Sequence, residues 1–122
     1  DTFPSTWHIK DANGIVPTKA CKAYAAYESS VANSEDPIYC LIVMLPCEYL
    51  WAWLGGQLSP PKEGNLYAPW INGNNSPKGA YTMGNFIEDY RKTYPIDEEK
   101  AQEIYATAMN YELENFISAF DK

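Results

Sequence analysis

From Pro37 to Gly56 the chain is almost wholly apolar, about the ~20 residues that a helix needs to cross a bilayer. Such a run either spans a membrane or forms the centre of a helical core. Pro46 and Glu48 sit near its middle, and its flank is acidic (Glu35, Asp36) with no basic anchor nearby. A membrane span disfavours a central carboxylate and gathers Lys and Arg at its ends. The run therefore predicts a buried core helix and no membrane partner.

A chain of 122 residues suffices for one compact domain and not for two. With 46% apolar residues it can bury a core rather than stay disordered. Ten Tyr and four Trp are side chains that fill cores and also line pockets for flat ligands. The excess of 16 acidic over 9 basic residues, a net charge of −7, argues against a nucleic-acid partner, which needs a basic face to displace counterions. The single histidine, His8, is expected in an N-terminal loop and makes a His-based metal site a poor fit. No Gly-rich phosphate loop is present, and no cofactor is implied.

Three cysteines, Cys21, Cys40 and Cys47, are an odd number without finger or redox spacing, so reduced thiols are expected. Unpaired thiols favour a reducing, cytoplasmic compartment. The chain begins at Asp1 rather than Met, which predicts that something upstream has been removed and leaves secretion open.

Proline and glycine punctuate four main helices. The first runs from Pro17 to Ala32, with Ala20, Tyr24, Tyr27 and Val31 at helical spacing. Asp36 caps the second, Pro37 opens it, and Gly55-Gly56 should end it near Trp53 or Leu54 in a left-handed cap. A short element carrying Tyr67, Trp70 and Ile71 follows a Pro-rich loop. Ser76 and Pro77 then open a third helix striped by Met83, Phe86, Ile87, Tyr90 and Tyr94. Pro95 stops it, Asp97 caps the fourth, and Glu98-Glu99 suit that helix's positive end. With no alternating strand pattern, the fold class is all-α.

Three positions depart from bland core packing. Cys47 follows Pro46, which cannot donate a backbone hydrogen bond to Ile42 and whose ring crowds that carbonyl, so a kink is expected there. Trp51 lies one turn further along the same face. Cys47 reads as a nucleophile beside a kink or as an inert small hydrophobe. In the last helix Ala101, Ile104, Tyr105, Ala108, Phe116 and Ala119 define one apolar face, and Glu112 falls near its middle. A carboxylate there costs several kcal/mol unless paired, solvated or protonated. It reads as a packing hydrogen bond to a tyrosine or as a general acid/base. An antiparallel hairpin of the first two helices brings Tyr24, Tyr27 and Glu28 towards the Pro46 region. The same hairpin puts Cys21 near the height of Cys47, so a Cys21–Cys47 disulfide competes with the nucleophile reading.

The run Ala23-Tyr24-Ala25-Ala26-Tyr27, followed by Met44-Leu45-Pro46-Cys47-Glu48-Tyr49-Leu50-Trp51, resembles the Y-T-x-Y and L-P-C-x-x-x-Y helices of TenA/thiaminase II proteins. Tyr67-Ala68-Pro69-Trp70-Ile71 is similar to that family's Y-x-x-W-I element, and Asn110-Tyr111-Glu112-Leu113-Glu114-Asn115-Phe116 to its terminal Y-E-x-x-F/W motif. The resemblance covers nearly everything after Val16 and matches the C-terminal half of the family's haem-oxygenase-like bundle. It implies an aminopyrimidine hydrolase of thiamin metabolism, with a pyrimidine-type small molecule as ligand. Cys47 would add to the ring, Glu112 would protonate a ring nitrogen and shuttle protons, and Tyr24 and Tyr27 would orient the site. Trp51, where the family usually has tyrosine, would pack on the ring, and Asn74 stands near where many members have another tyrosine. The chemistry calls for a thiolate and for a carboxylic acid that stays protonated near neutrality. The resemblance also implies a second chain supplying the N-terminal half of the bundle, including an aspartate that grips the aminopyrimidine, and a homo-oligomer. The competing functional readings are a binding protein without turnover and a structural or storage protein that keeps the fold.

Overall fold

The computed structural model describes residues 2–121. Among these, six helices and no strand are formed: α1 (Thr2–Thr6), α2 (Lys19–Ser34), α3 (Pro37–Leu58), α4 (Ala68–Asn74), α5 (Lys78–Thr93) and α6 (Glu98–Ser118). The all-α expectation holds among these residues. The short α1 was not foreseen; His8 follows it at positive φ and donates its ring N–H to the Leu66 carbonyl at 2.7 Å.

The apolar run becomes the hub of the bundle. As α3 it packs against α2, α4, α5 and α6, and Ile38, Tyr39, Ile42 and Val43 join Tyr24, Val31, Ile104 and Ala108 in one core. Yet only 39% of its most apolar window is buried, and the helix is long and apolar enough to cross a membrane. The expected core helix is thus a core helix with part of its apolar surface bare. Trp51, Trp53 and Leu58 stand at the surface, as do Met109, Leu113, Phe116 and Ile117 on α6.

Helix ends follow local chemistry with three corrections. The first main helix starts after Pro17: Thr18 is the cap, its Oγ1 accepting from the Cys21 N–H at 3.1 Å. Its last turn extends past Ala32 because Asn33 and Ser34 bond back to the carbonyls of Ser29 and Ser30. The second correction is at Gly55-Gly56, which do not end α3; the helix runs on to Leu58 with neither glycine at positive φ. Gly55 serves close approach instead, since a Cβ there would overlap the Asn74 carbonyl and stand 2.9 Å from the Asn75 nitrogen. Third, α5 starts at Lys78, after Pro77, and its covered side is centred on Ala80, while Phe86 and Tyr94 are exposed.

Two fastenings hold α6 in register. Near its start, Asp97 accepts from the Lys100 N–H at 3.0 Å and donates its own N–H to the Tyr39 hydroxyl, while Lys100 pairs with Glu35 at 2.8 Å. At its end, Ser118 donates to the Asn115 carbonyl, so its hydroxyl oxygen is left to accept from Thr18 at 2.9 Å. The register between these ends fixes which α6 residues face Cys47.

Candidate functional site

Pro46 lies within α3 and its ring is buried. The helix continues on both sides of it, and the Ile42 carbonyl has no i+4 amide to accept from. The next residue, Cys47, is partly buried on the wall of a cavity of about 220 Å³. Glu48, Trp51, Ala52, Gly73, Asn74 and Ser76 complete the lining. Three residues singled out in the sequence, Cys47, Trp51 and Asn74, thus share one cavity. α3 supplies the first two at one-turn spacing, and the Gly55 contact brings α4 and Asn74 against them. Asn74 is held by donating its side-chain amide to the Trp70 carbonyl at 2.8 Å, and Trp70 tilts against Trp51 at 5.4 Å.

On the other side of Cys47, α6 contributes Glu112, which is 2% exposed. Its position in the middle of the buried face is where the helical spacing put it. Glu112 also forms the base of an apolar groove between α3 and α6, lined by Leu50, Leu54, Met109, Leu113 and Phe116. From α2, Tyr24 stacks nearly parallel on Tyr111 at 5.8 Å, and its buried hydroxyl has no hydrogen-bond partner among the described residues. The Glu112 carboxylate acts on that hydroxyl at short range without reaching hydrogen-bond geometry. Tyr27 packs on Tyr111 at 5.2 Å and belongs to the margin of the core rather than to the cavity lining.

The electrostatics of this cluster are uniformly negative. Burial, and then the adjacent Glu112, push the Cys47 thiol up to about 12, with Glu28 and Glu48 adding to the effect. Burial, and then Glu112, likewise raise the Tyr24 phenol far above its ordinary value. The carboxyl of Glu28, one turn beyond Tyr24 on α2, is raised by burial first and by Glu112 second. Burial and the neighbouring carboxylates thus disfavour the thiolate that the chemistry calls for. All three cysteines are free, and Cys21 is exposed, so the Cys21–Cys47 disulfide is not formed.

Glu48 was passed over as a site residue, although it is the one charge within the apolar run. Gly73 and Ser76 gave no sequence signal, because a cavity wall of small residues looks like any loop. Among the described residues no group of three His, Cys, Asp or Glu side chains could hold a metal ion. A wider cleft of about 320 Å³ between α3, α5 and α6 is floored by Ile42, Leu45 and Ile87, with Arg91 paired to Glu88 and Glu98 at its rim. It contains no nucleophile, and the chemistry gathers instead around Cys47.

No curated protein matches the chain. The family profile described as TENA/THI-4/PQQC matches residues 5–120, nearly the whole sequence. The bundle, the order of its motifs and this match agree: the chain belongs to the TENA/THI-4/PQQC family.

Proposed function

We propose that the protein hydrolyses thiamin-related aminopyrimidines, with Cys47 as nucleophile and Glu112 as proton carrier. The observation that carries this reading is the meeting of a thiol, a buried carboxylate and an unpartnered phenol beside an aromatic-walled cavity. A neutral thiol can serve if it loses its proton as it attacks. Sγ adds to a carbon of the ring while its proton passes to Glu112, and Glu112 delivers a proton to a ring nitrogen. The amine or thiazolium then leaves, water adds in its place, and Sγ departs to release the hydroxymethyl product. The Tyr24 hydroxyl, near Glu112 and without a hydrogen-bond partner among the described residues, would orient this exchange.

Ammonia release from aminomethylpyrimidine tests the reading directly. Turnover by the native protein and its near-complete loss in Cys47→Ser support it; absence of turnover in the native protein rejects it. The raised thiol favours a second reading, a pyrimidine-binding protein without turnover. On that reading Cys47→Ser keeps ligand affinity and there is no rate to lose.

The exposed apolar faces of α3 and α6 support a further part of the proposal, that additional helices or another copy of the chain cover them. Apolar area of that extent is unfavourable in contact with water.

A further inference from the structure

The cavity beside Cys47 has a chemical bias that the hydrolase reading does not use. Its lining offers one aromatic face (Trp51), one carboxylate (Glu48), one carboxamide (Asn74) and no basic side chain. Asn74 donates one amide N–H to the Trp70 carbonyl. Left for a ligand are its carbonyl oxygen, an acceptor, and its second amide N–H. Glu48, when ionised, accepts only. Glu48 and Asn74 thus put acceptor oxygens on a wall that also carries the Ser76 hydroxyl.

The Glu48 carboxylate also lies against α5. Its Oε1 occupies the space that a Cβ at Gly79 would need, and its Cδ lies 3.4 Å from that position. Gly79 is the second residue of α5, so the carboxylate rests against a helix first turn, where negative charge is favoured. The absent side chain at Gly79 gives Glu48 a seat, and that seat keeps the carboxylate on the cavity wall next to Cys47. The volume, about 220 Å³, equals that of about seven waters at ~30 Å³ each, room for one substituted ring.

We propose that Glu48, assisted by Asn74, is the specificity-determining residue of this cavity, accepting hydrogen bonds from the donor edge of an amino-substituted nitrogen heteroaromatic ring that lies on Trp51, and excluding rings that carry an anionic group. The inference rests on the Cys47 cavity being the substrate site proposed above. Glu48 makes no bond to the reacting carbon and acts by gripping the ring. A phosphate ester of the same ring would meet Glu48 and no counter-charge.

Isothermal titration of the Cys47→Ser protein, which binds without turning over, tests this. The probes are hydroxymethylpyrimidine with its ring amino group, the analogue with hydrogen in place of that group, and the phosphate ester. Adding Glu48→Gln is expected to weaken binding of the amino ring by about 10- to 100-fold, the range for hydrogen bonds to a charged group. It should leave the analogue's already weak binding unchanged, and it should improve binding of the ester. Gly79→Ala provides a second variant that retains the carboxylate: its Cβ displaces Glu48 and should weaken the amino ring while helix content, read by circular dichroism, is preserved. Equal affinity of both Glu48 forms for the amino ring overturns the inference and leaves the hydrolase reading standing. Glu48-dependent binding in a protein whose native form releases no ammonia overturns the hydrolase reading alone. No binding of any ring overturns both.

Discussion

The state of one sulfur atom sets the terms of the chemistry. With the thiol of Cys47 pushed up to about 12, its thiolate fraction at pH 8 is about 1,000-fold smaller than that of an ordinary cysteine. Alkylation of Cys47 by iodoacetamide should therefore be slow at pH 8 and should keep rising with pH, without a plateau below about pH 11. Cys21, exposed, should react first; peptide mapping of the alkylated protein separates the two. Glu112→Gln removes a charge that disfavours the thiolate, so it should speed alkylation of Cys47 while abolishing turnover. Slower or unchanged alkylation in that variant would show that Glu112 does not act on the sulfur. A stability effect follows from the same groups. Cys47 and Tyr24 both hold their protons more tightly in the folded chain than in the unfolded one. The unfolded state then binds fewer protons at high pH, so stability is intact below about pH 9 and falls as pH rises above it. Urea midpoints at pH 8 and pH 10.5 should show the decline, and Cys47→Ser with Tyr24→Phe should flatten it. Tyr24→Phe also removes a buried hydroxyl that lacks a partner, so at pH 7 it should be neutral or stabilising by up to ~1 kcal/mol while impairing turnover.

Among the helices, α3 is legible and misleading at once. Its length and apolarity identify it from the sequence, and the same composition hides how much of it lies bare. Gly55-Gly56 look like a helix stop because two glycines usually are one. Only the position of α4, distant in sequence, reveals that Gly55 is there to admit the Asn74 backbone. The two glycines therefore separate by experiment. Gly56→Ala has open space and should stabilise by up to ~1 kcal/mol through helix propensity. Gly55→Ala should destabilise by about 2–3 kcal/mol despite the same gain, because backbone overlap must be relieved by moving α4. Chemical denaturation of both variants checks the contrast. The caps at Asp36 and Asp97 and the burial of Glu112 were readable because each depends on neighbours within a few turns of one helix. The cavity of Cys47, Glu48, Trp51 and Asn74 was readable only in part, since the approach of α4 to α3 assembles it. Tyr27, whose helical spacing points it towards the Pro46 region, packs on the Tyr111 ring.

For the molecule as a whole, the exposed apolar surface is the leading fact. Leu113 is 59% exposed and Ile117 is 56% exposed on the helix that also buries Glu112. Covering that face with further helices or another copy should be visible as an assembly larger than 13.8 kDa in native mass spectrometry or light scattering. Leu113→Lys with Ile117→Lys should shift the assembly towards the monomer without loss of helix content. A monodisperse monomer before substitution would reject the idea of a covered face.

The Gly55–Asn74 approach has a consequence for how this site can change. Main chain rests on main chain there, so this contact does not depend on which side chain stands at Asn74. The residue at Asn74 can then be exchanged while its Cα stays where it is, and the cavity can be fitted for a new ring without rebuilding its frame. One immovable glycine would leave the lineage free to experiment with the wall opposite Cys47.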